Sequence, residues 1–153
     1  MNRLKHILLV EDSKNDVELI VAALHEGHIA NPVTVLQDGV QALAYLQTAD
    51  PASIPIVVLL DIKMPKMNGM EVLRALKADD RLKQLPVVML TSSREGPDID
   101  ECYRLGVNAY VVKPVAFDEF FRAIKDVGRF WAVVNHPPKA EPVAEPAQVA
   151  MKQ

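Results

Sequence analysis

A chain of 153 residues, half of them hydrophobic and 24% charged, is sized for one packed domain and a tail. Its net charge of −3 and the absence of a basic run argue against nucleic acid as a partner; no apolar run reaches the ~20 residues that cross a membrane, and Met1-Asn2-Arg3-Leu4-Lys5-His6 lacks the apolar stretch of a secretory leader. The single cysteine, Cys102, excludes an intramolecular disulfide and suits a reducing, cytoplasmic setting, where it reads as a small core residue.

Apolar runs alternate with helical patterns along the chain. His6–Val10 reads as a buried strand. Val17, Ile20, Val21 and Leu24 then recur at helical spacing and are expected to face the core, with Asn15, Leu19, Ala22, Ala23 and Glu26 opposite. Ser13-x-x-Asp16 has the pattern of a capping box at the start of that helix, and Gly27 suits its end. Val33–Leu36 is a second strand. Asp38 caps a helix carrying Val40, Leu43, Ala44 and Leu46, and Thr48–Pro55 is a loop. Ile56–Leu60 is the most apolar strand and the expected centre of the sheet. A helix from about Gly69 to Ala78 follows, then a strand at Pro86–Leu90 and a helix from Pro97 to Leu105 that Gly106 ends. Ala109–Val112 is a fifth strand. Phe117, Phe120, Phe121, Ile124 and Gly128 open the last helix, which as an α-helix to Val134 spans about 27 Å at ~1.5 Å per residue.

Strict alternation of continuous apolar strands with helices implies an α/β fold with a parallel sheet covered on both faces. Five such units suit a flavodoxin-like, doubly wound five-stranded sheet of order 2-1-3-4-5 with an extended fifth helix. Residues 135–153 are rich in Pro, Ala, Glu and Val without a period and read as a disordered tail after a domain at 4–134. No helix-turn-helix or second domain is expected.

The residues at the strand ends carry the chemistry. Glu11-Asp12 follows the first strand, Asp61 the third, Thr91 the fourth and Lys113-Pro114 the fifth. Ligands of such sheets bind beyond the carboxyl ends of the strands. A carboxylate there can take up a phosphoryl group, given positive charge to offset two negative reactants. The order, spacing and residue types, with Met64-Pro65 and Gly69 after Asp61, resemble the receiver domain of bacterial response regulators across residues 4–134. The resemblance implies phosphorylation of Asp61 by a sensor histidine kinase, with Mg²⁺ held by Asp12, Asp61 and the backbone carbonyl of Lys63, and with Glu11 acting through water. Lys113 and Thr91 would stabilise the phosphoryl oxygens, and Tyr110 would be the aromatic that turns inward as the Thr91 hydroxyl moves. The family's Lys-Pro bond is cis, so Lys113-Pro114 is expected to be cis. Such a protein modifies itself and turns over no separate substrate.

Two departures from the pattern stand out. Lys63 occupies the second position after the acceptor, where many relatives carry Asn or another polar residue, and Ser93 replaces the acid or amide that some relatives have two residues after the threonine. In the family the first helix docks on the kinase, which implicates Asn15, Leu19, Ala22 and, beside the site, Pro114. The segment from Gly128 to Pro138 resembles the C-terminal extension of single-domain regulators that partner bacterial phytochromes and related kinases, often as homodimers. Trp131 continues the core stripe, whereas Phe130 and Val133 fall off it; with Val134 they form an apolar end that wants a partner. Two rival readings remain: a constitutive dimeric scaffold, and a nucleotide- or flavin-binding protein on the same fold. The second lacks a Gly-rich loop after the first strand.

Overall fold

Five short apolar runs become strands, each followed by a helix: β1 (Ile7–Val10), α1 (Lys14–Glu26), β2 (Val33–Leu36), α2 (Gly39–Thr48), β3 (Val57–Leu60), α3 (Gly69–Ala78), β4 (Val87–Thr91), α4 (Gly96–Arg104), β5 (Ala109–Val112) and α5 (Phe117–Arg129). A 3-10 turn at Pro51–Ser53 interrupts the loop before β3. This computed structural model describes residues 4–114 and 116–136, so the expected tail lies outside the described residues beyond Asn135 and His136. The strands form one parallel sheet in the order β2-β1-β3-β4-β5, as expected.

Successive side chains of a strand point to opposite faces, and each face has its own core. Leu8, Val10, Val58, Leu60, Val87 and Met89 pack beneath α2, α3 and Cys102 of α4. Ile7, Leu9, Val57, Leu59, Val88 and Leu90 pack beneath α1 and α5. Double burial explains why the three central strands are continuously apolar, while edge strands β2 and β5 are only half-buried. Cys102 is a core residue, and burial pushes its thiol up to about 11.

The helix starts follow their caps. Asp38 Oδ1 accepts the Gln41 N–H at 2.8 Å. Asn68 and Glu71 form a full capping box, each side chain accepting the other's backbone N–H at 3.0 Å. The box expected at Ser13 is only half made: Ser13 Oγ accepts the Asp16 N–H at 3.3 Å, but the Asp16 carboxylate points elsewhere. At the end of α4, Gly106 takes φ +99°, a conformation that favours glycine.

Two expectations about helix faces need correction. On α1 the buried residues are Ile20, Ala23 and Leu24, whereas Val21 is 37% exposed and Leu19 packs partly onto the core. The reason is α5, which lies against the Ala23 side of α1. The two helices approach so closely that a Cβ on Gly128 would run into Leu24 Cδ2, and that side chain would have to shift to admit a larger residue. The second correction is at the end of α5. Residues Phe130–Val134 widen into a π-helical turn, closed by the Asn135 N–H donating to the Phe130 carbonyl at 2.6 Å. No described helix is long and apolar enough to cross a membrane.

Candidate functional site

The backbone ladder continues past the strand ends and sets the site. The Glu11 N–H donates to the Leu36 carbonyl at 3.0 Å, the Asp61 N–H to Val10 at 3.2 Å and the Lys113 N–H to Thr91 at 2.7 Å. Sheet register therefore aims Glu11, Asp61 and Lys113 from one edge. Gly69 secures the loop after Asp61: its N–H donates to the Ile62 carbonyl at 2.8 Å, and a Cβ there would collide with the Asp61 carbonyl.

Carboxylate oxygens of Glu11, Asp12 and Asp61 all lie within 4.8 Å of one another. Glu11 and Asp61 are buried and Asp12 is exposed, which gives the cluster a solvent-facing mouth. Lys113 Nζ donates to Glu11 Oε1 at 2.6 Å, Asp16 Oδ2 at 2.8 Å and Asp61 Oδ2 at 3.2 Å. The Lys63 N–H reaches the other Asp61 oxygen, Oδ1, at 3.4 Å, while the Lys63 side chain is exposed.

Four carboxylates around one ammonium leave an excess of negative charge. Burial pushes the Glu11 carboxyl up to about 7; its bond to Lys113 opposes this and the nearby Asp61 charge adds to it. Burial alone would lower the Lys113 ammonium, but its bonds to Asp16 and Glu11 and the Asp61 charge hold it above its usual range. A cluster of hard oxygen donors, one of them open to water, fits a divalent cation such as Mg²⁺.

Thr91 is fully buried at the end of β4. Its Oγ1 accepts the Ser93 N–H at 3.3 Å, and the Ser93 carbonyl accepts the Tyr110 hydroxyl at 3.0 Å. Ser93 Oγ in turn donates to Asp98 Oδ2 in the first turn of α4 at 2.6 Å. Thr91, Tyr110 and α4 thus meet at Ser93. The Lys113-Pro114 bond corrects a sequence expectation. No described peptide bond is cis, and Lys113 reaches three carboxylates with this bond trans, the isomer that X–Pro bonds favour by about 0.5–1 kcal/mol.

Asn15 and Ala22 are exposed along α1, with Leu19 and Pro114 half-buried nearby in sequence to the site's acids and lysine. At the far end of α5, Phe130, Val133 and Val134 are 46%, 61% and 47% exposed. Trp131 and Ala132 instead pack partly onto the core beneath α1 and α5, with Phe130 edge-on to Trp131 at 5.0 Å. Sequence reasoning missed Asp16 as a partner of Lys113. Asp16 lies three residues after the Ser13 N-cap, a spacing that reads as a local cap and hides the partner.

A parallel sheet that gathers acids and a lysine at its carboxyl edge defines a class, the α/β proteins whose reactive carboxylate is aimed by strand ends. The family model of the response regulator receiver domain matches residues 7–125, and the chain belongs to that family, the receivers of two-component signalling. Response regulator Rcp1 of Synechocystis sp. is 38% identical over 130 residues, 83% of this chain and 88% of Rcp1. The crystal structure of an Mn²⁺-bound Rcp1 superposes with a TM-score of 0.81 at 36% identity, over 88% of this chain and 99% of that one. The phosphorylated cyanobacterial phytochrome response regulator RcpA also gives 0.81, at 37% identity over 88% of this chain and 98% of that one. The bacteriophytochrome response regulator RtBRR is 51% identical over 90% of this chain and 86% of its own, with a TM-score of 0.68.

Proposed function

We propose that this receiver takes a phosphoryl group on Asp61 from a cytoplasmic sensor histidine kinase of the phytochrome class and signals by a change of packing. The observation that supports it most is geometric: Asp61, Asp12 and Glu11 converge within 4.8 Å, with Lys113 Nζ 3.2 Å from Asp61. An Asp61 oxygen attacks phosphorus, the P–N bond of the donor phosphohistidine breaks, and the departing imidazole nitrogen takes up a proton. Asp12, Asp61 and the Lys63 carbonyl would hold Mg²⁺ directly and Glu11 through water, and the ion would supply charge neutralisation. Lys113 adds a mobile point charge and Thr91 a hydroxyl donor for the phosphoryl oxygens. Water later hydrolyses the acyl phosphate, so the chain is modified and restored without turning over a separate substrate.

Two surfaces complete the reading. Asn15, Leu19, Ala22 and Pro114 receive the helical bundle of the kinase. Phe130, Val133 and Val134, with the exposed part of Trp131, cover one another in a two-fold homodimer. RcpA is a cyanobacterial phytochrome response regulator and RtBRR a bacteriophytochrome response regulator, which supports the class of kinase, and an Mn²⁺-bound Rcp1 supports a divalent cation. Incubation with a small phosphoryl donor is expected to label the wild type only when Mg²⁺ is present, and Asp12→Ala to lose that Mg²⁺-dependent labelling while staying folded. Undiminished Mg²⁺-dependent labelling of Asp12→Ala would mean that the ligands are misassigned.

A further inference from the structure

The first turn of α1 carries a carboxylate that the reading above does not use. In a complete capping box Asp16 would accept the Ser13 N–H. Here Glu11 Oε2 accepts that N–H at 3.1 Å, and the Asp16 carboxylate goes to Lys113 instead. The two shortest bonds of Lys113 Nζ, 2.6 Å to Glu11 and 2.8 Å to Asp16, lie toward β1 and α1, and the longest, 3.2 Å, is to Asp61. All three N–H groups of the ammonium are thereby committed. Asp16 is also the most solvated partner, its side chain 29% exposed against 2% for Glu11 and 9% for Asp61. Water can therefore replace Lys113 on Asp16 more readily than on the other two.

We propose that Asp16 is a positioning residue for the phosphoryl site: it draws Lys113 toward α1, so that the bond to the Asp61 carboxylate stays the longest of the three, and yields the lysine when phosphoryl oxygens arrive. The proposal rests on the receiver site described above. Without Asp16, Lys113 closes on Glu11 and Asp61 and competes with a divalent cation for their oxygens. Loss of one negative charge acts in the same direction. Asp16→Glu keeps both the charge and the reach to Lys113.

Mg²⁺ titration of the full chain, followed by amide NMR shifts around Asp12 and Asp61, tests this. Asp16→Asn is expected to weaken Mg²⁺ binding about tenfold, and Asp16→Glu to recover most of it. In a Lys113→Met background, Asp16→Asn is expected to cost no more than about threefold, the direct Coulomb share. An unchanged affinity in Asp16→Asn overturns the proposal, as does the same loss with and without Lys113. Labelling of the wild type by a small phosphoryl donor runs alongside. A wild type that takes no phosphoryl group sinks the receiver site itself, whereas normal labelling with unaltered Mg²⁺ affinity in Asp16→Asn sinks only the role of Asp16.

Discussion

Glu11 shows how much of the site's behaviour one buried charge can set. Its carboxyl moves from 4.5 to about 7, chiefly through burial. The folded chain therefore holds that proton more tightly than the unfolded chain does. The resulting stability is fully present below pH 4.5 and is lost as pH rises through about 7. In chelated solution, wild type is predicted to lose on the order of 2 kcal/mol relative to Glu11→Gln between about pH 5 and about pH 8, read by urea unfolding. Parallel stability curves for the two proteins would contradict it. Glu11, Asp61 and Lys113 were legible as neighbours because each directly follows an apolar strand, and register brings them together with Asp12, one residue further on. Asp16 was not legible in its role. Ser13-x-x-Asp16 suits a local cap, and nothing in that pattern reports a partner 97 positions away.

Among the elements, the loop from β4 to α4 carries the contacts that link Thr91, Tyr110 and α4. Ser93 receives Tyr110 on its carbonyl, gives its N–H to Thr91 and anchors α4 through Asp98. A Thr91 hydroxyl drawn to a phosphoryl oxygen leaves Ser93, so the Tyr110 packing has two arrangements available. Thr91→Ala is predicted to accept phosphoryl on Asp61 while the Tyr110 ring resonances no longer respond, and a wild-type response in that variant would break the link. On α1, Ala22→Glu is predicted to slow transfer from the kinase about tenfold while leaving labelling by a small donor unchanged. Equal effects on both donors would place Ala22 outside the docking face. Strand order was legible because double burial writes itself as unbroken apolar runs. The inward face of α1 was only partly legible: a helical wheel ranks positions, but the helix packed alongside decides whether Ala23 or Val21 is covered. The π-helical turn at Phe130–Val134 was illegible, since one widened turn has no hydrophobic period of its own.

For the whole molecule, the apolar end of α5 and the acidic cluster at the strand ends are built from different residues of one chain. Phe130, Val133 and Val134 present exposed apolar surface that the domain's own core does not cover. Light scattering is predicted to give twice the chain mass for the wild type and a folded monomer for Phe130→Asp combined with Val133→Asp. A wild type that stays monomeric at micromolar concentration, phosphorylated or not, would rule out the dimer. Phosphoryl transfer to Asp61 can be read directly at the residue. The chain is incubated with a phosphoryl donor and Mg²⁺, the acyl phosphate is trapped by borohydride reduction to homoserine, and peptides are mapped by mass spectrometry. A single modified residue is expected, at position 61, with no labelling of Asp61→Asn. Homoserine at another aspartate, or normal labelling of Asp61→Asn, would contradict it.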